Sequence, residues 1–290
     1  MTGDVTKLIE TRSGPLRVAV EDDLVVARGV RFAEPPVGER RFRPPIPASP
    51  WSEPRDAVEF GAVCPQNPAM LSAPGERQDE DCLFLNVWTP NADPSARLPV
   101  MVWIHGGGFT TGSGSTPWYD GAALARRGVV VVTINYRLGA FGQVHLGLLE
   151  GVDERLSECA DLGMQDQVVA LEWVRDHVAS FGGDPEAVTL FGESAGAMSI
   201  GVLMAMPSAT GLFHRAILQS GASRNVSSPD HANAVARGLL DALDATPEQV
   251  VDAPVDALLA AQTVVTGRLG VGVLPFQPVV DGHVIPLPPL

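Results

Sequence analysis

Apolar, β-rich runs separated by helix-patterned stretches constrain this chain more than any other feature. "LFLNVWTP" (83–90) and "LPVMVWIHGGGF" (98–109) are each closed by proline or glycine, and "GVVVVTINYR" carries consecutive valines, Val129 to Val132, extended through Ile134. "AVTLFGES" and "RAILQSG" continue the series. Runs that are apolar at successive positions suit parallel strands buried on both faces. Between them, "MQDQVVALEWVRDHVASFGG" repeats apolar residues at Val168, Leu171, Val174, Val178 and Phe181, close to the helical period, and Gly182 and Gly183 follow where a C-terminal cap belongs. "AGAMSIGVLMAM" is apolar nearly all round, which predicts a helix buried against the sheet until Pro207 stops it. Strands alternating with helices in this order predict an α/β fold with a largely parallel, twisted sheet.

The flanks have a different grain. "LRVAVEDDLVVARGVRFA" alternates apolar and polar residues around an acidic turn and predicts short antiparallel strands at the sheet edge. The proline-dense stretch from Glu34 to Pro54 has too few donors for a helix or a central strand, so it predicts a structured surface loop. "HANAVARGLLDALDATPEQVVDAPVDALLAAQTVV" predicts two or three helical pieces covering one end of the sheet, before an apolar, proline-rich end, "VVDGHVIPLPPL". With 290 residues, 45% of them hydrophobic, and no internal repeat, the expectation is one domain over residues 1–290.

Charge and composition remove whole classes of function. Acidic side chains number 34 against 20 basic ones, and the net charge of −14 repels phosphate backbones and anionic membranes, so no nucleic-acid partner is expected. Arg40, Arg41 and Arg43 in "GERRFRPP" read as a solvated loop face. The N-terminus lacks an apolar signal core, and no stretch reaches the roughly 18 apolar residues of a membrane span, which leads to the expectation of a soluble, cytoplasmic chain. There is no HExxH and the histidines are scattered, so no metal is expected. "GGGFTTGSGS" lacks the phosphate-loop lysine and no GxGxxG opens a helix, so no nucleotide cofactor is expected either. Cys64, Cys82 and Cys159 form neither a disulfide scaffold nor a CxxC pair.

The chemistry concentrates at "GESAG", residues 192–196, which has the form GxSxG. Between a strand and a helix this pattern makes a sharp turn that lifts the serine hydroxyl clear of the sheet, and the helix N-terminus aims free N–H groups at the same place. The second component is "HGGGF", His105 to Phe109, where consecutive glycines let the backbone present N–H groups to a substrate oxygen. Ser194 is thus the candidate nucleophile of an acyl transfer.

"EDCLFLNVWTP" (80–90) and "FGGDPEAVTLFGESAG" (181–196) resemble the two signature segments of the type B carboxylesterase family, the cholinesterase-like branch of the α/β-hydrolases. "AEPPVGERRFRPP", "VWIHGGGF", "NYRLGAFG", "GLFHRAILQSGA" and "PVVDG" are similar to further stretches of that family, in the same order. The resemblance implies an α/β-hydrolase fold, a small-molecule ester substrate and no cofactor. Carried over by position, it implies Ser194 as nucleophile, the N–H groups of Gly107, Gly108 and Ala195 as the oxyanion hole, and Glu193 as a carboxylate supporting the catalytic histidine. It also implies a disulfide between Cys64 and Cys82, closing a loop at the site entrance.

One departure stands out. Hydrolases of this fold place the catalytic acid and then the histidine after the nucleophile in chain order. In the resembling sequences both follow the segment like "PVVDG", and this chain ends soon after it. The histidines after Ser194 are His214, His231 and His283. Asp281 and His283 imitate an acid and histidine pair, but so close together on extended chain they do not reach the acid-to-imidazole geometry of a triad. The chain is therefore expected to be C-terminally incomplete and nearly inactive alone, its sheet ending at an unpaired "RAILQ" edge open to a complementing segment or to self-association. The other readings are a non-catalytic esterase-like binding or adhesion module and an inactive truncated product.

Overall fold

The computed structural model describes residues 5–68, 76–221, 225–269 and 274–289. Its strands are β1 (Thr6–Glu10), β2 (Pro15–Glu21), β3 (Leu24–Arg31), β4 (Arg55–Ala57), β5 (Phe84–Thr89), β6 (Leu98–Ile104), β7 (Val130–Ile134), β8 (Gly183–Glu193) and β9 (Arg215–Gln219). The helices are α1 (Ala122–Ala125), α2 (Gly139–Gly142), α3 (Leu162–His177), α4 (Ala195–Leu203), α5 (Pro229–Leu243) and α6 (Val255–Leu269). All the strands join one sheet in the order β1-β2-β3-β5-β7-β6-β8-β9, with β4 beside β2.

The sheet is mixed, in two halves. β7, β6, β8 and β9 run parallel, while β1, β2, β3, β5 and β7 pair antiparallel in succession. β5 departs from its sequence expectation: its apolar run, interrupted by the buried Asn86, is antiparallel to both neighbours. What the run records is burial on both faces, since Leu85, Val87 and Trp88 are all enclosed, and burial constrains side-chain polarity without constraining strand direction. The β2–β3 hairpin turns at Asp22, at φ +50, as the acidic alternation suggested.

α3 buries Val168, Leu171 and Val174 of the predicted stripe, and its last two members, Val178 and Phe181, are buried in a 3-10 turn (Val178–Phe181) that carries the chain to Gly182 at φ +78, just before the strand that bears the site. α3 also buries a charge. The Arg137 guanidinium donates to both Asp166 oxygens, at 2.7 to 3.2 Å, the Arg137 N–H donates to the same carboxylate, and the side chains are 3% and 0% exposed. With the remaining guanidinium nitrogen donating to the Arg43 carbonyl at 2.8 Å, the pair is satisfied by hydrogen bonds as a buried ion pair must be. It fixes the segment after β7 against α3.

α5 starts as its sequence dictates, with the Ser228 hydroxyl accepting from the His231 N–H and Pro229 at the first helical position. α5 and α6 pack together, and α6 packs on α2, where Gln262 Oε1 accepts from the Ala140 N–H at 2.9 Å. Arg41 holds the connection between them. It donates to the carbonyls of Val251 and Ala253 at 2.8 and 2.6 Å while pairing bidentately with Glu80. This corrects the reading of the arginine run as a solvated face, because one of its three members is a half-buried tether whose partners lie far away in sequence. At the other end of the sheet β9 pairs, among the described residues, with β8 alone, and Ile217 on it is 46% exposed.

Candidate active site

Ser194 occupies the single residue between β8 and α4, with φ +52 and ψ −120. A residue with a Cβ is strained there by about 1–3 kcal/mol, and the surroundings hold it: the Ser194 N–H donates to the Gln219 carbonyl and its carbonyl accepts from the Met198 N–H, both at 2.9 Å. The turn packs so tightly on β6 that a Cβ at Gly196 would overlap the Ile104 carbonyl oxygen. That overlap gives the second glycine of GxSxG its physical reason. Ser194 itself is partly exposed, and its hydroxyl has no hydrogen-bond partner among the described residues.

The triple-glycine turn leaves β6 directly opposite. A Cβ at Gly106 would lie 3.2 Å from the Ser194 Cβ and 2.8 Å from the Glu193 carbonyl oxygen, so the turn abuts the elbow. Gly107 adopts φ +115, and its carbonyl accepts from the Thr110 and Thr111 N–H groups at 3.1 Å, curling the loop back on itself. Gln66 secures the far side, its amide accepting from the Gly112 N–H at 2.7 Å and donating to the carbonyls of Gly112 and Cys64 at 3.0 Å. The N–H groups of Gly107, Gly108 and Ala195 are all left without an acceptor among the described residues. The unpaired donors thus sit on two elements, the glycine turn and the start of α4, that adjoin Ser194.

His105, which opens the glycine turn, is structural. Its ring stacks on Tyr136 with centroids 4.4 Å apart, its Nδ1 donates to the Gly106 carbonyl at 2.8 Å, and the Tyr136 hydroxyl donates to the His105 carbonyl at 2.9 Å. Burial lowers its pKa to about 4, so the ring stays neutral at ordinary pH. Glu193 is partly buried with its carboxylate beside Gly106. Burial raises the Tyr119 pKa, and the Glu193 charge raises it further.

The remaining histidines are committed elsewhere. His145 accepts from the Asp161 N–H, and His177 meets the Ser13 hydroxyl at 3.3 Å against Trp173. His214 accepts from the Val188 N–H just before β9, roughly 20 Å along the strands from the elbow at about 3.3 Å per residue. His231 sits in the first turn of α5. Asp281 accepts from the backbone N–H groups of His283 and Ile285, both at 2.9 Å, and not from an imidazole. None of the six histidines bonds the Ser194 hydroxyl.

Cys64 and Cys82 are neighbours but free thiols, which corrects the disulfide expected between them. Contact with Cys64 and complete burial push the Cys82 thiol well above its usual pKa. Cys64 Sγ instead accepts from the Leu138 N–H at 3.3 Å. The loop between the cysteines includes residues 69–75, which lie outside the described residues.

Leu274 was not singled out by any sequence pattern. Its Cδ2 would lie 3.3 Å from a Cβ at Gly108, which makes it a wall beside the expected oxyanion donors. Nothing in local spacing announces it, because the contact joins chain segments more than 160 residues apart.

Comparison with known proteins gives this geometry its context. The para-nitrobenzyl esterase of Bacillus subtilis is 42% identical over 98% of this chain and 58% of its own length. The phenmedipham hydrolase of Pseudarthrobacter oxydans is 41% identical, again over 98% of this chain and 58% of its own. In three dimensions the chain matches the crystal structure of the Geobacillus stearothermophilus carboxylesterase EST55 with a TM-score of 0.89 at 46% identity, covering 97% of this chain and 57% of that one. A thermophilic para-nitrobenzyl esterase structure matches with a TM-score of 0.90 at 42% identity, over 98% and 59%. The architecture is the α/β-hydrolase fold of these enzymes, and the chain spans less than three-fifths of their lengths. The likeness to the Carboxylesterase family runs from residue 7 to residue 290, and the chain belongs to that family.

Proposed function

We propose that the chain carries the nucleophile and oxyanion half of a serine carboxylesterase, and that the histidine and acid that activate Ser194 come from sequence outside these 290 residues. The observation that carries this reading is the strained Ser194 turn, set against the curled Gly106–Gly108 loop, with the N–H groups of Gly107, Gly108 and Ala195 left unpaired among the described residues. Backbone strain and unpaired donors are both costly, and together they serve a reaction in which negative charge develops beside a serine oxygen.

In the mechanism, Ser194 Oγ attacks the ester carbonyl carbon while its proton passes to the histidine. The carbonyl π electrons move to oxygen, and the N–H groups of Gly107, Gly108 and Ala195 hold that oxyanion. Collapse expels the alcohol, protonated by the same histidine, and water then releases the acid from Ser194. Loss of one such donor costs on the order of a hundred- to a thousand-fold in rate. Glu193, beside Gly106, supplies negative charge that favours the imidazolium formed in each step.

The substrates proposed are neutral or weakly polar carboxylic esters. The half-buried Leu274 beside Gly108 offers an apolar wall to the group attached at the carbonyl, and the relatives include an esterase named for para-nitrobenzyl esters. The experiment compares the purified chain with Ser194→Ala, by p-nitrophenyl ester hydrolysis and by labelling with an alkyl phosphonate. Slow, stoichiometric labelling that Ser194→Ala abolishes, with turnover close to the variant's, is expected. Rapid Ser194-dependent turnover would overturn the external base, and ester binding unaffected by Ser194→Ala without any labelling would favour a binding module.

A further inference from the structure

The segment that carries Leu274 is anchored by a pair of side chains with no part in the proposed chemistry. Asp161, at φ +50 ahead of α3, is completely buried, and its carboxyl does not cap the helix. Its Oδ1 accepts from the Val279 N–H at 2.9 Å, and its Oδ2 is buried without a partner among the described residues. Its N–H donates to His145 Nδ1 at 3.1 Å, which fixes the imidazole tautomer. Nε2 then carries the hydrogen and donates to the Gln277 carbonyl at 3.1 Å. Asp161 and His145 thereby hold both sides of residues 277–279, and Val279, with Phe276 and Ile285 around the segment, is fully buried.

We propose that Asp161 and His145 form an alkali-sensitive latch that fastens the 276–281 segment, and through it Leu274, over the nucleophile face. The latch is closed when Asp161 carries its proton. Ionising it in place would leave a charge on an oxygen with no donor. The groups facing it do not compensate: Asp281 on the docked segment is itself acidic, and His145 presents a lone pair to the Asp161 N–H and loses that bond on protonation. The Cys159 thiol donates to the Val144 carbonyl, and the Arg137 guanidinium is closed on Asp166. Burial, with a smaller contribution from Asp281, raises the Asp161 pKa well above the ordinary carboxylate range, and the Val279 bond only partly offsets it.

The proton reaches water when the segment lifts. Opening returns Asp161 to its ordinary pKa, near 4, so above that pH the open state binds fewer protons than the closed one. Each further pH unit favours opening by up to about tenfold, until the closed form ionises as well. Since Leu274 lies two residues before Phe276, an open latch withdraws the wall beside Gly108.

Hydrogen exchange at the Val280 amide reads the latch, because that N–H donates to the Ser227 carbonyl at 3.1 Å and not to Asp161. Exchange would be followed between pH 5 and 8 in the wild-type chain and in Asp161→Asn, which keeps an oxygen for Val279 but has no proton to lose. At matched pH the base catalysis of exchange cancels between the two. The expected result is a wild-type to variant ratio of opening that climbs up to about tenfold per pH unit. A ratio constant across the range overturns the proposal. Should Asp161→Asn fail to fold, the carboxyl carbon resonance of Asp161 in the wild-type chain decides, and titration near the ordinary value of about 4 overturns it. Neither readout uses ester hydrolysis, so failure here leaves the reading of Ser194 untouched.

Discussion

The strain at Ser194 is measurable apart from catalysis. Ala and Gly at this position both remove the hydroxyl, which has no partner among the described residues, so the hydroxyl itself contributes little to the fold. Ala keeps the Cβ that φ +52 with ψ −120 disfavours, whereas Gly relaxes it. The Cβ costs about 1–3 kcal/mol in such a region, and the greater freedom of an unfolded glycine returns about 0.5–1 kcal/mol of that. Ser194→Gly is therefore expected to be more stable than Ser194→Ala by about 1 kcal/mol, with Ser194→Ala close to wild type. The assay is equilibrium urea unfolding of the three chains. At an m-value of about 3 kcal/mol/M, the glycine midpoint should lie about 0.3 M above the alanine midpoint with no change in slope. An alanine variant as stable as the glycine variant would refute the reasoning, since the turn would then be unstrained and its shape no sign of function.

Gly196→Ala places a methyl on the Ile104 carbonyl oxygen and should cost about 3 kcal/mol, lowering the urea midpoint of the chain without reference to activity. Asp166→Asn strips the charge from the partner of a guanidinium that is 3% exposed and should cost roughly 3–5 kcal/mol, whereas a matched apolar replacement of both residues should cost far less. His105 and His145 are buried neutral, each with its pKa lowered to about 4, so the folded chain binds fewer protons than the unfolded one below about 6.5. The stability they contribute is present above about 6.5 and is lost as pH falls toward 4, about 3 kcal/mol for each. Stability measured against pH should lose about one proton of its slope in that window in His105→Gln, and an unchanged slope would place the ring's titration elsewhere.

Much of the fold was legible because burial leaves a direct trace in residue type. The stripe on α3, the helix after Ser194 and the parallel strands β6, β7 and β8 all follow from apolar spacing, and their burial in the structure matches it. Strand direction left no such trace, which is why β5 reads as a parallel strand and pairs antiparallel. α4 ends at Leu203, ahead of Pro207, with Met204 already exposed, because proline bounds how far a helix extends without setting where it stops. The arginine run misled for another reason. Its local neighbourhood is polar loop, and only the distant carbonyls of Val251 and Ala253 make Arg41 a tether.

The same distinction divides the site. The parts legible in the sequence are built from backbone within a few residues: a serine in a forbidden-looking turn, a glycine that clears a carbonyl, N–H groups at the start of a helix. Such features need particular residues at fixed spacing, so a short motif records them. Leu274 beside Gly108, Gln66 around Gly112, and Asp161 with His145 join segments brought together only by the folded sheet and its helices, and no spacing encodes them. A general base belongs to this second kind. It needs one ring nitrogen free to take the serine proton and the other held by an acceptor. Of the six histidines, His105 and His145 are sealed neutral, His177 and His214 have a ring nitrogen engaged by Ser13 and the Val188 N–H, and His231 and His283 sit on the α5 turn and the 281–285 turn, unbonded to Ser194. The N–H groups of Gly107, Gly108 and Ala195, by contrast, stand unpaired among the described residues without it. The proposed function assigns that long-range partner to sequence outside these 290 residues, and the Ser194 labelling and turnover experiment tests the assignment.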